Sequence, residues 1–290
     1  MINCCPRGGD RLKLHILRCG YIRVARDVPY GSRSGVSAAA RQMLAADRDR
    51  VTLPVCAYLV EHPKGLLLVD TGWCRDLSPA GVYDAKAVSR LLPPHLAAFY
   101  RPWLPEGMAV HEQLERRRIR PADLEAVLLT HLDPDHVAGL RHVAGAKHII
   151  LPEDEYFWSC RTVYKTRQPV SLWQDQPIER RFYRGSPLGP NRWAIDLFGD
   201  ETVQMVNVPG HTDGQAAILL RSGSGKFILL AADAAFSPRN WRELVPPGFG
   251  FGRDWQRKSL QWIAGLAEDP TCAAVLCSHD PGFEPQTMEF

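Results

Sequence analysis

The sequence predicts an α/β protein built in four layers, an αββα sandwich in which two β-sheets lie face to face with helices on their outer sides. Three observations lead there. Short apolar runs with β-branched residues, bounded by Gly, Pro or Asp, recur along the chain. Helical patterns fall between some of these runs but not between all. The succession of strands, helix, strand and helix in the first half is repeated in the second, which fits two packed sheets better than one parallel sheet.

Taken in order, strands are expected over residues 53–60, 66–69, 126–129, 148–151, 203–208, 216–220, 227–230 and 273–276. Helical patterns cover residues 111–118 and 255–266, and Pro121 stands at the first position of a short helical turn. Two stretches lack a clean period. Residues 21–50 are rich in Arg, Ser and Ala. Residues 156–195 carry Tyr156, Phe157, Trp158, Tyr164, Trp173, Phe182, Tyr183 and Trp193. An aromatic-rich insertion of that kind reads as a lid over a pocket. No internal repeat divides the chain, so residues 1–290 are read as one domain with this decoration.

Composition narrows the partners. With 35 basic and 32 acidic residues the formal net charge is only +3, too weak a field to point to nucleic acid or an anionic membrane. Clusters such as Arg116-Arg117-Arg118 read as a solvated helix face. The first residues include Arg7, Asp10, Arg11 and Lys13 and lack the apolar run of a signal peptide or membrane span, so a soluble cytoplasmic protein is expected. The eight cysteines are scattered without a C-x-x-C pair, which argues against a disulfide framework or a thiolate zinc site. A small molecule remains as the expected partner, and a homo-oligomer is compatible with the sequence.

The chemistry concentrates at strand ends. Thr130-His131-Leu132-Asp133-Pro134-Asp135-His136 puts four potential metal ligands within six positions after an apolar strand, and His211, Asp233 and His279 each follow another such run. Any one of them alone reads as an ordinary hydrogen-bonded residue. Seven at equivalent topological positions read as a metal site, and the mixture of imidazoles and carboxylates suits borderline divalent ions and permits two of them.

With these residues in view, the chain resembles the metallo-β-lactamase superfamily, whose signature H-x-H-x-D-H is followed by a Gly-His, a bridging Asp and a final His. The likeness extends from Asp70-Thr71-Gly72 to His279. It implies that His131 and His211 hold a first ion, that Asp135, His136 and His279 hold a second, that Asp233 bridges them, and that Asp70 orients ligating imidazoles. Within the superfamily the chain is most similar to N-acyl homoserine lactonases and pyridoxolactonases, through Ala-Ala-Asp-Ala-Ala around Asp233, Pro-Pro-Gly-Phe-Gly-Phe-Gly at 246–252 and Ser278-His279-Asp280. The resemblance implies a metal-dependent hydrolase that attacks a lactone or other carboxylic ester with a metal-bound hydroxide, with Asp135 passing a proton to the leaving alkoxide.

Two departures stand out. Asp133 replaces the second signature histidine; as a ligand of the first ion it would add negative charge and move the metal preference from zinc toward manganese or iron. Phe236 stands where lactonases of this kind carry a tyrosine, and it has no hydroxyl to offer a substrate. Either Tyr156 or Tyr183 supplies that hydroxyl, or the substrate differs. Asp133 motivates an alternative, an iron-dependent oxidoreductase or oxygen-handling enzyme of the same fold. A thioester or phosphoester hydrolase and a catalytically silent ligand-binding protein complete the set of readings.

Overall fold

The computed structural model describes residues 11–31 and 44–290. Its strands are β1 (Lys13–Ala25), β2 (Arg50–His62), β3 (Gly65–Val69), β4 (Leu124–Leu128), β5 (His148–Pro152), β6 (Ile178–Arg181), β7 (Arg184–Gly185), β8 (Trp193–Asp196), β9 (Val203–Asn207), β10 (Ala216–Arg221), β11 (Phe227–Leu230), β12 (Cys272–Leu276) and β13 (Thr287–Glu289). They form a seven-stranded sheet ordered β13-β1-β2-β3-β4-β5-β6 and a six-stranded sheet ordered β12-β11-β10-β9-β8-β7. Pairing is parallel from β3 through β6 and between β11 and β12, and antiparallel elsewhere.

Alternation along the central strands creates the layers. On β2, Val55, Ala57 and Leu59 face one core while Cys56, Tyr58 and Val60 face another, because successive side chains of a strand point to opposite faces. The first core packs the seven-stranded sheet against α1 (Ala85–Leu91), α2 (Pro94–Tyr100) and α3 (Val110–Arg116) through Val88, Leu96, Phe99 and Leu114. The middle core joins the two sheets, with Leu67, Val69 and Leu128 opposite Met205, Ile218 and Leu230. The third seats α7 (Pro238–Arg242) and α8 (Arg253–Ala267) on the six-stranded sheet through Trp241, Leu260 and Ile263. Three cores between four layers is the predicted αββα architecture.

The stretch 156–195 is more ordered than its composition suggested. It contains the end of α5 (Glu153–Ser159), α6 (Thr162–Lys165), the edge strands β6 and β7 of the two sheets and most of β8, which lies next to β7. Of residues 21–50, the described part holds the end of β1, turns, a short 3-10 helix (Asp47–Asp49) and the first residue of β2; residues 32–43 lie outside the described residues, as do residues 1–10, which carry Arg7 and Asp10 of the N-terminal reading. Among the described residues, no helix is long and apolar enough to cross a membrane.

The turn after β3 shapes the rim on which the site stands. Asp70 adopts φ 56° and Gly72 φ 62°, and a Cβ on Gly72 would lie 2.2 Å from Cys19 Cβ. A left-handed backbone and a missing side chain are thus both required at Gly72. Gly72→Ala is expected to destabilise the fold by about 2–4 kcal/mol, combining the left-handed penalty with overpacking. Urea unfolding checks this; an unchanged midpoint would show that the turn relaxes without cost.

Candidate metal centre

Every candidate ligand sits in a connection that leaves a strand end. Thr130 to Asp133 follow β4, and α4 (Pro134–Val137) carries Asp135 and His136. His211 follows β9, Asp233 follows β11 and His279 follows β12. Backbone bonds lock these turns together: Asp70 N–H donates to Leu128 O at 2.9 Å, Thr71 N–H to His136 O at 2.8 Å, Ala216 N–H to Thr130 O at 2.9 Å and Cys56 N–H to Ser278 O at 3.0 Å. The rim is therefore tied across both sheets.

Each of the four imidazoles has an oxygen at its Nδ1. His136 Nδ1 lies 2.7 Å from Asp70 Oδ2, His279 Nδ1 2.8 Å from Pro54 O and His211 Nδ1 3.1 Å from Phe249 O. His131 Nδ1 lies 3.0 Å from Thr130 Oγ1, whose own hydroxyl donates to Asp70 Oδ2 at 2.8 Å. Oxygen acceptors at Nδ1 fix the proton there and leave the Nε2 lone pair to face inward.

What the lone pairs face is carboxylate oxygen. Asp233 Oδ1 lies 3.2 Å from His136 Nε2, Asp233 Oδ2 lies 3.2 Å from His279 Nε2 and 3.3 Å from His211 Nε2, and Asp135 Oδ2 lies 3.4 Å from His279 Nε2. Opposed at that range, nitrogen and carboxylate oxygen need a proton or a metal ion between them. Ligands of a tetrahedral ion with bonds near 2.1 Å stand about 3.4 Å apart, so the spacing is that of a coordination shell. His131 Nε2, His136 Nε2 and Asp233 Oδ1 are buried without a hydrogen-bond partner, which is costly unless an ion completes them. The donors resolve into two groups, His131 with His211 and Asp233, and Asp135 with His136 and His279, each within 4.8 Å. The residues present fit divalent metal in the second group without obstruction.

The first group has a further occupant. Asp133 Oδ2 lies 3.6 Å from His131 Nε2 and 3.2 Å from His211 Nε2, but Arg167 grips the same carboxylate, its Nε donating to both oxygens at 2.8 Å. Burial opposes the Asp133 charge, yet Arg167 first and then His131 and His211 outweigh it and hold the carboxyl well below its ordinary range. Burial and then the Arg167 charge push His211 down to about 4, keeping it neutral. Asp133, expected from the sequence as a ligand of the first ion, is paired with a buried arginine while its Oδ2 also faces both imidazoles of the first group.

Arg167 and Glu155 were not legible as site residues. Glu155 is fully buried and accepts hydrogen bonds from Leu132 N–H at 3.2 Å, Gln168 Nε2 at 2.7 Å and Thr212 Oγ1 at 2.6 Å, pinning two ligand turns to one helix. An anion at position 133 in a buried cluster calls for a cation, but nothing in the chain singles out which arginine. Tyr183 Oη donates to Gly214 O at 3.0 Å, and Tyr156 packs edge-on against Trp173 with ring centroids 5.8 Å apart. Neither lines the small cavity beside the ligands. Phe236 does, its ring 4.7 Å from that of His279, and so does Tyr100. Burial first, then the carboxylates of Asp133 and Asp135, raise the Tyr100 hydroxyl well above its ordinary pKa, so it keeps its proton.

The model of the metallo-β-lactamase superfamily matches residues 50–274. The chain belongs to the metallo-β-lactamase superfamily. Its two mixed sheets and flanking helices are the metallo-β-lactamase fold. Among its relatives, an N-acyl homoserine lactonase, AttM of Azorhizobium caulinodans, is 28% identical over 243 residues, covering 80% of this chain and 84% of that protein. A solved N-acyl homoserine lactone hydrolase, with N-hexanoyl-L-homoserine bound at its catalytic metal centre, superposes with a TM-score of 0.71 at 19% identity, covering 93% of each chain. AidC, a dizinc quorum-quenching lactonase in complex with the same product, superposes with a TM-score of 0.61 at 17% identity over 96% of this chain and 94% of its own.

Proposed function

We propose that this metallo-β-lactamase-fold protein is a hydrolase of lactones or related carboxylic esters that carry an apolar substituent. The observation that supports it most is the buried shell of inward-facing imidazole nitrogens and carboxylates, opening on a cavity whose other walls include Ile22, Val24, Val28, Phe99 and Phe249. That cavity encloses only about 10 Å³, so these apolar side chains would have to part for an acyl chain to enter while its polar end meets the metal centre. The named relatives act in the same sense.

A bound divalent ion supplies a nucleophile at neutral pH and polarises the carbonyl. Asp135 would carry a proton to the departing alkoxide; without metal, burial above all raises its pKa. Asp233, facing both groups, holds the donors in register. Phe236 excludes water beside His279 but cannot donate. Tyr100 takes the role of donor to the substrate oxygen, in place of Tyr156 and Tyr183.

The test is a panel of N-acyl homoserine lactones, simple γ-lactones, aryl esters and thioesters with the metal-reconstituted protein, followed by pH-stat. Turnover of lactones above the buffer rate is the expected result; none on any lactone or ester would end this reading. Tyr100→Phe is expected to lower kcat about 10²-fold with little change in KM, the usual cost of removing a donor to a developing oxyanion. An unchanged kcat would return the donor role to another group. The oxygen-handling alternative drew on an anionic ligand at position 133, a carboxylate that Arg167 here shares.

A further inference from the structure

The two donor groups are not equivalent, and the difference is Arg167. Besides its bonds to Asp133, the guanidinium contacts His211 Nε2 through Nη2. That nitrogen has a single lone pair because its ring proton sits at Nδ1, facing Phe249 O. An ion bound there would need the lone pair that Arg167 uses. With His211 and Asp133 engaged, the first group retains His131 Nε2 and a share of Asp233, fewer donors than the three protein ligands a zinc site ordinarily keeps. The second group commands Asp135, His136 and His279, with Asp233 oxygens 3.2 Å from two of these imidazoles.

Arg167 is also built into its place. It is buried, its Nη1 donates to His211 O at 3.0 Å, and its Cζ lies 4.2 Å over the Phe249 ring and 5.3 Å from that of Phe251. The following side chain, Gln168, is fixed to Glu155. Displacing the guanidinium would break several buried contacts and strand the Asp133 charge.

We propose that Arg167 is the resident cation of the first group and that the chain holds one divalent ion tightly, in the second group, instead of two of comparable affinity. This rests on the metal-centre reading but not on which bond is cleaved. Asp133 and Arg167 together replace a histidine and an ion.

The experiment is a metal count made without substrate. Wild-type protein stripped with chelator and titrated with Zn²⁺ or Co²⁺ is expected to bind one equivalent tightly. The second should be at least about 100-fold weaker, since it must evict a buried, hydrogen-bonded guanidinium. Two equivalents of similar affinity would overturn the proposal while leaving the hydrolase reading intact; one tight equivalent without turnover of any lactone or ester would do the reverse. The double variant Asp133→His/Arg167→Met is expected to bind two equivalents within about 10-fold of each other. One equivalent in that variant, folded by circular dichroism, would show that Arg167 is not the cause. Should the double variant fail to fold, Arg167→Gln is expected to strengthen the second equivalent, and its failure to do so would count equally against the proposal.

Discussion

Asp233→Ala is expected to release the bound metal and lower kcat/KM roughly 10³-fold or more, because it removes several kcal/mol of transition-state charge stabilisation together with the ion. The reason is geometric. Asp233 places one oxygen 3.2 Å from His136 Nε2 and the other 3.2 Å from His279 Nε2 and 3.3 Å from His211 Nε2, so it is the one carboxylate that faces both donor groups. Without it, the His136 and His279 nitrogens lose their nearest anion and His211 loses one of two, and a cation would sit among neutral donors and Asp135. Metal content of the purified variant by mass spectrometry, together with lactone turnover, checks the result. Wild-type metal affinity in the variant would show that Asp233 is not a ligand.

Asp70→Ala is expected to strike the same centre from below. Asp70 is buried and accepts Thr130 N–H and Thr130 Oγ1, each at 2.8 Å, and His136 Nδ1 at 2.7 Å. Thr130 in turn receives His131 Nδ1. One carboxylate therefore orients an imidazole in each donor group. Its loss leaves buried donors unpaired, an expected cost of about 3–5 kcal/mol in folding stability. Metal affinity should fall about 10- to 100-fold as the imidazoles lose their fixed tautomer and angle. Asp70→Asn, which retains one acceptor oxygen, should fall between wild type and Asp70→Ala. Urea unfolding and chelator competition measure the two losses separately; stability lost with metal affinity unchanged would confine Asp70 to the fold.

The parts of the fold that were legible in the sequence share one property, a period unbroken by irregular backbone. The run 53–60 lies within β2, 216–220 within β10 and 255–266 within α8, because each buries apolar residues at strand or helix spacing. β1 escaped notice although its burial alternates over most of Lys13–Ala25. Its register shifts between Arg18 and Tyr21, with Gly20 at φ 110°, and that bulge splits the alternation into two short halves. β6, Ile-Glu-Arg-Arg, has no fully buried residue and so no pattern to read. At the site, His131, His136, His211, Asp233 and His279 were readable because each follows an apolar run. Arg167 and Glu155 were not, since their roles depend on which turns meet in space.

All the candidate donors stand in the connections that follow strands and none on a strand, so the frame and the rim are separable units of inheritance. A change among the three cores lowers how many molecules fold, whereas a change of donor alters what each folded molecule holds. Asp133 and Arg167 are the exception. Either one alone is a buried charge without its partner, so a lineage passes between a histidine at position 133 and this ion pair only through an intermediate that the bound metal itself must tolerate.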